Sequence, residues 1–179
     1  MNNNDRLLRL RYALDLRDEE TQEIFKLGHQ DLSLEEVQLL LKKVESSEAT
    51  SDKEDDFTEN TYVKECSNLL FESFLNGLIV FKRGQQVTAT GEPVKQTRLI
   101  KHDKDVNNVL IKKVKIALTL TSDDILDILD DTGVHISNSE LSAVLRKEGH
   151  RNYKECGDRY ARNFLKGLAH HLRGFDSSN

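Results

Sequence analysis

Phe74-Leu75-Asn76-Gly77-Leu78 closes an apolar run and leads into Arg83-Gly84, and Phe164-Leu165-Lys166-Gly167-Leu168 leads in the same way into Arg173-Gly174. Each phrase follows Lys-Glu-Cys at equal spacing, Lys64-Glu65-Cys66 in one case and Lys154-Glu155-Cys156 in the other. Self-similarity of this kind marks a duplicated architecture. Upstream the match continues without a gap at a second offset, pairing Asn4 with Asn108, Leu10 with Val114, Ile24 with Ile128, Ser33 with Ser137 and Glu36 with Glu140. The difference between the two offsets leaves a surplus in the first copy between Lys43 and Val63.

Each copy reads as four helices. Leu7, Leu10 and Leu14 share one face of the first, as do Ile111, Val114 and Leu118 of its counterpart. Asn4 and Asn108 stand ahead of them as expected N-caps. The second helices open after Asp18 and Ser122 with acidic first turns, favourable to the helix dipole, and Gly28 and Gly133 are the expected terminators. Ser33-x-x-Glu36 and Ser137-x-x-Glu140 are capping boxes ahead of apolar runs, which place the third helices. The fourth helices carry the opening phrase. Gly inside a helix costs about 1 kcal/mol relative to Ala, so Gly77 and Gly167 predict a close helix crossing. Phe74, Leu75, Gly77 and Leu78, with Phe164, Leu165, Gly167 and Leu168, form the predicted packing seam. The expected organisation is all-α, with two homologous tandem four-helix repeats packed about an approximate internal dyad. The first repeat spans 1–84 with an acidic insert at 44–62, a linker runs over 85–106, the second repeat spans 107–174, and 175–179 is expected to be a disordered tail.

The composition agrees with this class. Charged residues make up 32% and aromatics 6% of the 179 residues, with one Pro and no Trp, which favours helices over a β-sandwich. The formal net charge of -5 supplies no global basic field to attract nucleic acid. Acidity concentrates between Asp18 and Glu59, leaving the rest of the chain with an excess of bases. Two cysteines fit a reducing compartment. Met1-Asn2-Asn3-Asn4-Asp5 lacks the features of a signal peptide, and the apolar run Leu69 to Phe81 is too short to span a bilayer. A cytoplasmic protein without membrane attachment is expected.

Phe74-Leu75-Asn76-Gly77-Leu78 with Lys82-Arg83-Gly84, Asn107-Asn108, and Glu155-Cys156-Gly157-Asp158 with Phe164-Leu165-x-Gly167-Leu168-Ala169 resemble the YehS family of bacterial proteins. The resemblance spans nearly the whole chain and departs from the family at the acidic insert and in a longer linker. It implies a tandem helical protein built from a domain of unknown function occurring twice per chain, and it brings no catalytic residues.

The residues themselves offer few sites. Cys66 and Cys156 could form a redox pair or half a metal site, but neither has a ligand partner at metal spacing, and His150 has no counterpart in the first copy; small buried side chains are the favoured reading. Asp124, Asp127 and Asp131 share a helix face, with Asp123 and Asp130 nearby, and read as a solvated acidic side more readily than as a cation site. There is no phosphate loop, nucleophile elbow or His-Glu-x-x-His motif, so neither a catalytic residue nor a cofactor is assigned. Arg9 and Arg11, like Lys113 and Lys115, read as solvated surface. The alternative to an interaction protein is nucleic-acid binding. Ile125 to Lys147 has a helix-turn-helix outline, and Arg146, Lys147, Arg151, Lys154, Arg159, Arg162 and Lys166 provide bases to track phosphates. The favoured expectation is a non-catalytic protein that binds a protein or small ligand in a groove between helices or repeats.

Overall fold

The structure, a computed structural model, describes residues 1–45 and 59–174. The acidic insert expected at 44–62 lies outside the described residues over 46–58, as does the tail expected at 175–179. Among the described residues eight α-helices account for the regular structure: α1 (Asn3–Ala13), α2 (Asp18–Leu27), α3 (Leu34–Leu41), α4 (Asn68–Arg83), α5 (Val106–Ala117), α6 (Ser122–Asp130), α7 (Asn138–Leu145) and α8 (Asp158–Arg173). A 3-10 turn, Asp103–Asp105, precedes α5. Among the described residues there is no strand, only the isolated bridges Lys43–Tyr62 and Val87–Pro93.

Local chemistry explains where the helices begin. The Asn2 side chain caps α1 by accepting from the Asp5 amide, and Ser67 and Thr121 cap α4 and α6 in the same manner. Ser33 and Glu36 close a reciprocal box at α3, and Ser137 accepts from the Glu140 amide at α7. The expected caps Asn4 and Asn108 need correcting, because both lie inside their helices and are buried. A carboxamide at such a position gains more from pairing distant backbone than from capping its own first turn.

The first two helices of each half end alike. Asp15, His29, Thr119 and Gly133 adopt left-handed backbone, with φ of 52°, 67°, 55° and 81°. The residue after each returns its amide to a carbonyl five positions back, as Leu16 does to Arg11 and Val134 to Leu129. These are Schellman closures. Gly133 takes the left-handed position after α6, and Gly28 is the C-cap of α2 as expected, although His29 takes the left-handed position there. Gly28 has an ordinary φ of -86° and serves close packing, since a Cβ there would lie 1.9 Å from the Ser73 carbonyl oxygen.

The helices interlock. α4 lies between α2 and α5, while α8 lies against α1 and α6. The first helix of each half thus rests on the fourth helix of the other. Gly77 permits the α4–α2 crossing, where a Cβ would stand 1.8 Å from the Ile24 carbonyl oxygen; Gly167 permits that of α8 with α6, where it would stand 2.2 Å from the Ile128 oxygen. Phe25 and Phe74 meet at this first crossing with ring centroids 5.2 Å apart. One continuous core runs through both halves, from Leu7 and Leu10 to Leu168 and Ala169.

Candidate functional site

Two asparagines tie each half to the segment ahead of its last helix. Asn4 accepts from the Cys66 amide at 3.0 Å and donates to the carbonyls of Leu40 and Lys64 at 2.8 and 2.7 Å. Asn108 accepts from the Cys156 amide at 2.9 Å and donates to Val144 and Lys154 at 3.0 and 2.7 Å. Both carboxamides are thereby engaged at donor and acceptor. The cysteines are free and buried, and burial pushes each thiol up to about 12. Such thiols stay protonated at neutral pH, unlike the thiolates that act as nucleophiles and metal ligands.

Between the halves sits a buried polar centre. Arg6 donates through Nε to Asn107 at 2.8 Å, through one terminal nitrogen to Asn3 at 2.9 Å and through the other to Asp158 at 3.4 Å. Asn107 also donates to Asp158 at 2.8 Å and to the Cys156 carbonyl at 3.0 Å. Burial lowers the Arg6 pKa, against the opposing pull of Asp158, and Arg6 belongs to a residue type that stays charged in proteins. Burial pushes the Asp158 carboxyl up, but the Asn107 hydrogen bond and its neighbouring cations outweigh it and leave the group below its ordinary value. The centre borders a polar cleft of about 880 Å³. Its groups are already bonded to one another, which suits the joining of two halves better than capture of a ligand.

The groove between α4 and α5 is occupied by the chain itself. Lys113, expected on a solvated surface, is buried and forms an ion pair with Glu72 at 3.0 Å, both side chains being at most 3% exposed. Its ammonium also donates to Asn76 and, at 2.9 Å, to the Thr97 carbonyl. Glu72 accepts the amides of Leu99 and Ile100 at 2.7 and 3.0 Å. Burial lowers the Lys113 pKa, and Glu72 opposes that shift. The last part of the expected linker is therefore a strap laid against α4. It leaves the end of α4, where the Val94 amide bonds Gln86, and returns along the helix to Glu72.

The groove between α1 and α8 is open among the described residues. It encloses about 780 Å³ and is lined by Leu8, Arg9, Tyr12, Leu16, Leu165, Lys166, Ala169, His170 and Arg173, with Arg11 and Asp15 at its edge. Its floor is apolar and its rim basic. Arg173 closes one end, stacking its guanidinium 4.4 Å from the Tyr12 ring centre and donating to the Tyr12 carbonyl at 3.0 Å and Asp15 at 3.2 Å. Arg11 pairs with Asp18 at 2.7 Å. Arg9 and Lys166 are exposed.

The bases singled out from sequence are divided by the fold. Arg146 and Lys147 follow α7 and line a small cavity of about 150 Å³ with Lys112, Glu148 and Tyr153, whereas Lys166 faces the α1–α8 groove. Arg151, Lys154 and Arg159 are exposed and Arg162 is half-buried. α7, which would be the reading helix of a helix-turn-helix, has the sequence NSELSAVL and carries no base. Asp124 is engaged in capping α6, and Asp130 contacts His135. Among the described residues no group of three or more His, Cys, Asp or Glu is placed to hold a metal ion. Sequence reading did not single out Arg6, Glu72 or the groove residue Tyr12, because none stands in a motif, and Asn107 and Ala169 entered only as parts of the family phrases. The one available signal was a difference of charge at matched positions, Glu72 against Arg162 and Asn76 against Lys166.

The fold and site define an all-α protein with interlocked halves and, among the described residues, an open, basic-rimmed groove between α1 and α8. The chain belongs to the family described as "Protein of unknown function (DUF1456)", whose model matches residues 3–84 and 107–174. It is 34% identical over 170 residues to the "Uncharacterized protein YehS" of Escherichia coli (strain K12), covering 94% of this chain and 95% of that protein. No solved structure matches. No helix among the described residues is long and apolar enough to cross a membrane.

Proposed function

We propose that the chain is a non-catalytic cytoplasmic binding protein built from two homologous four-helix repeats related by an approximate internal dyad, with the α1–α8 groove as its ligand site. The repeat reading is supported by Asn4 and Asn108 making matched bonds, by left-handed Asp15 and Thr119 at matched helix ends, and by Gly77 and Gly167 meeting the carbonyls of Ile24 and Ile128. The observation that carries the binding reading is an inequality. Of two corresponding grooves, the one between α4 and α5 is filled by Thr97–Ile100, and the one between α1 and α8 keeps about 780 Å³ open. Concave, mostly apolar sites with a few polar groups at the edge are the usual form of binding pockets. A catalytic role gains no support from the buried carboxylates, which are engaged structurally: Asp5 by Tyr62, Asp105 by Tyr153 and Glu72 by Lys113.

Display selection of random twelve-residue peptides, with counter-selection against an Ala169→Trp variant, tests this reading. Recovery of binders that need the unfilled groove is the expected result. Binders that ignore the substitution would overturn it. Nucleic-acid binding stays the second reading, and only the bases spaced along α8, such as Arg159 and Lys166, favour it. Under it, duplex or single-stranded probes should be retarded at low salt and released steeply as salt rises.

A further inference from the structure

We infer that the small cavity between the strap, α5 and the segment after α7 binds the phosphate monoester of a small molecule, at a site separate from the α1–α8 groove and independent of it. The cavity, of about 150 Å³, is lined by bases from three places in the chain: Arg98 and Lys101 from the strap and its end, Lys112 from α5, and Arg146 and Lys147 from directly after α7. Against these five cations stand the carboxylates of Asp105 and Glu148, which leaves an excess of three positive charges. Arg98 is already engaged, donating to the Leu69 carbonyl at 3.1 Å and the Ser73 hydroxyl at 2.9 Å, and Lys101 pairs with Glu148 at 3.7 Å. Asp105 is buried and accepts from the Tyr153 hydroxyl at 3.1 Å. Among the described residues the side chains of Lys112, Arg146 and Lys147 form neither a hydrogen bond nor an ion pair.

Helix packing does not account for these three. A cation near the carbonyl end of a helix is favoured by the dipole, which covers Arg146 and Lys147 after α7 but not Lys112, half-buried within α5 and on the same cavity. The position that matches Lys112 in the other half is Leu8, so the first helix of a half does not call for an ammonium there. Like charges gathered on a concave surface raise the local concentration of anions. Volume and charge then select the anion. The space is below the roughly 300 Å³ at which drug-sized sites begin, too little to enclose a run of nucleotides. A phosphate monoester brings about -1.5 to -2 charges at neutral pH and three acceptor oxygens, where a carboxylate or a diester brings a single charge. Those oxygens suit both the fork of Arg146 and the point charges of the lysines. Leu99, Val109 and the Tyr153 ring make the remaining wall apolar, so the group esterified to the phosphate is apolar or aromatic.

The test is isothermal titration calorimetry of the full chain with phenyl phosphate at pH 8 and constant ionic strength, where the monoester is a dianion. Inorganic phosphate, dimethyl phosphate and phenol serve as comparisons. Phenyl phosphate should bind saturably and more tightly than inorganic phosphate, and dimethyl phosphate and phenol should not bind. The double variant Lys112→Gln, Arg146→Gln should weaken phenyl phosphate by roughly 10-fold or more, through lost charge-assisted hydrogen bonds. Lys154→Gln, Arg159→Gln removes two charges from exposed positions outside the cavity and should leave the affinity unchanged. A melting curve without ligand shows whether each variant is folded. Should Lys112→Gln disturb α5, the exposed pair Arg146→Gln, Lys147→Gln gives the same reading. Absence of saturable binding overturns the inference, and so does binding that the cavity variants leave intact or that the control weakens equally. Dimethyl phosphate binding as tightly as the monoester would refute the dianion, and a single-stranded ten-nucleotide probe that displaces phenyl phosphate and binds more tightly would refute the small-molecule ligand in favour of nucleic acid.

Discussion

Gly77→Ala adds one methyl group and tests the crossing on which the interlocked packing depends. The new Cβ would stand 1.8 Å from the Ile24 carbonyl oxygen and 2.9 Å from the Gly28 nitrogen, both backbone atoms of α2. Carbon reaches its best non-bonded separation at roughly 3.5 Å, so α2 and α4 must part by well over 1 Å or α4 must bend. Overpacking of this kind costs about 1–3 kcal/mol. Because the obstruction is backbone and not a rotatable side chain, the upper half of that range applies. Parting the helices also loosens the Phe25–Phe74 pair, worth roughly 1 kcal/mol, while Ala in place of Gly returns about 1 kcal/mol of helix propensity. The expected net loss is roughly 2–3 kcal/mol. Urea denaturation followed by circular dichroism should show a lower midpoint at unchanged slope, and the melting temperature should fall by roughly 5–10 °C. A midpoint equal to or above that of the parent protein would show that this crossing is not under steric control. Gly77→Leu should be worse, since it adds volume at the same contact.

Asn108→Ala strips partners from the Cys156 amide and the carbonyls of Val144 and Lys154. Leaving buried backbone unsatisfied should cost about 2–4 kcal/mol, read from the urea midpoint, and an effect below ~0.5 kcal/mol would refute the pinning role. Cys66 and Cys156, buried and pushed up to about 12, should resist a thiol-reactive dye at pH 8 in the native protein and react promptly in denaturant; rapid native labelling would contradict their burial. Asp158 has a pKa lowered in the fold from roughly 3.9 in the unfolded chain. Its stabilising contribution is therefore complete above that value and disappears as pH falls through it towards the folded value. Asp158→Asn should lower stability at pH 7 and flatten the loss between about pH 5 and 3, seen as urea midpoints across pH. Partial exposure keeps the effect modest, and an unaltered acid limb would remove Asp158 from the account.

Helical periodicity and cap residues are local properties, and so the all-α class could be read directly from the chain. Ser33 with Glu36, and Ser137, act within one turn of where they stand. The mid-helix glycines also announced themselves, since their intrinsic cost is unexplained without a close neighbour, and Ile24 and Ile128 are those neighbours. Gly28 and His29 show the limit of such reading. Gly suits either a left-handed end or a tight contact, and only the position of Ser73 decides which. Asn4 and Asn108 carried the same ambiguity, because a carboxamide near a helix start bonds its own amides or someone else's. The candidate site was the least legible part. Lys113 and Arg9 occupy matched positions on similar helices, yet one is buried against Glu72 under the strap and the other rims an open groove.

By itself, then, the amino-acid sequence determined the helices, the caps at Ser33 and Ser137 and the glycines needing close partners, because the first two depend on neighbours within a few residues and a mid-helix glycine carries an intrinsic cost. Tertiary structure alone decided that α4 rests on α5 and α8 on α1, and that the strap fills one groove and leaves the other open. Those outcomes depend on which long-range surfaces meet, and a burial of Lys113 is tolerable only where Glu72, Asn76 and the Thr97 carbonyl converge on it.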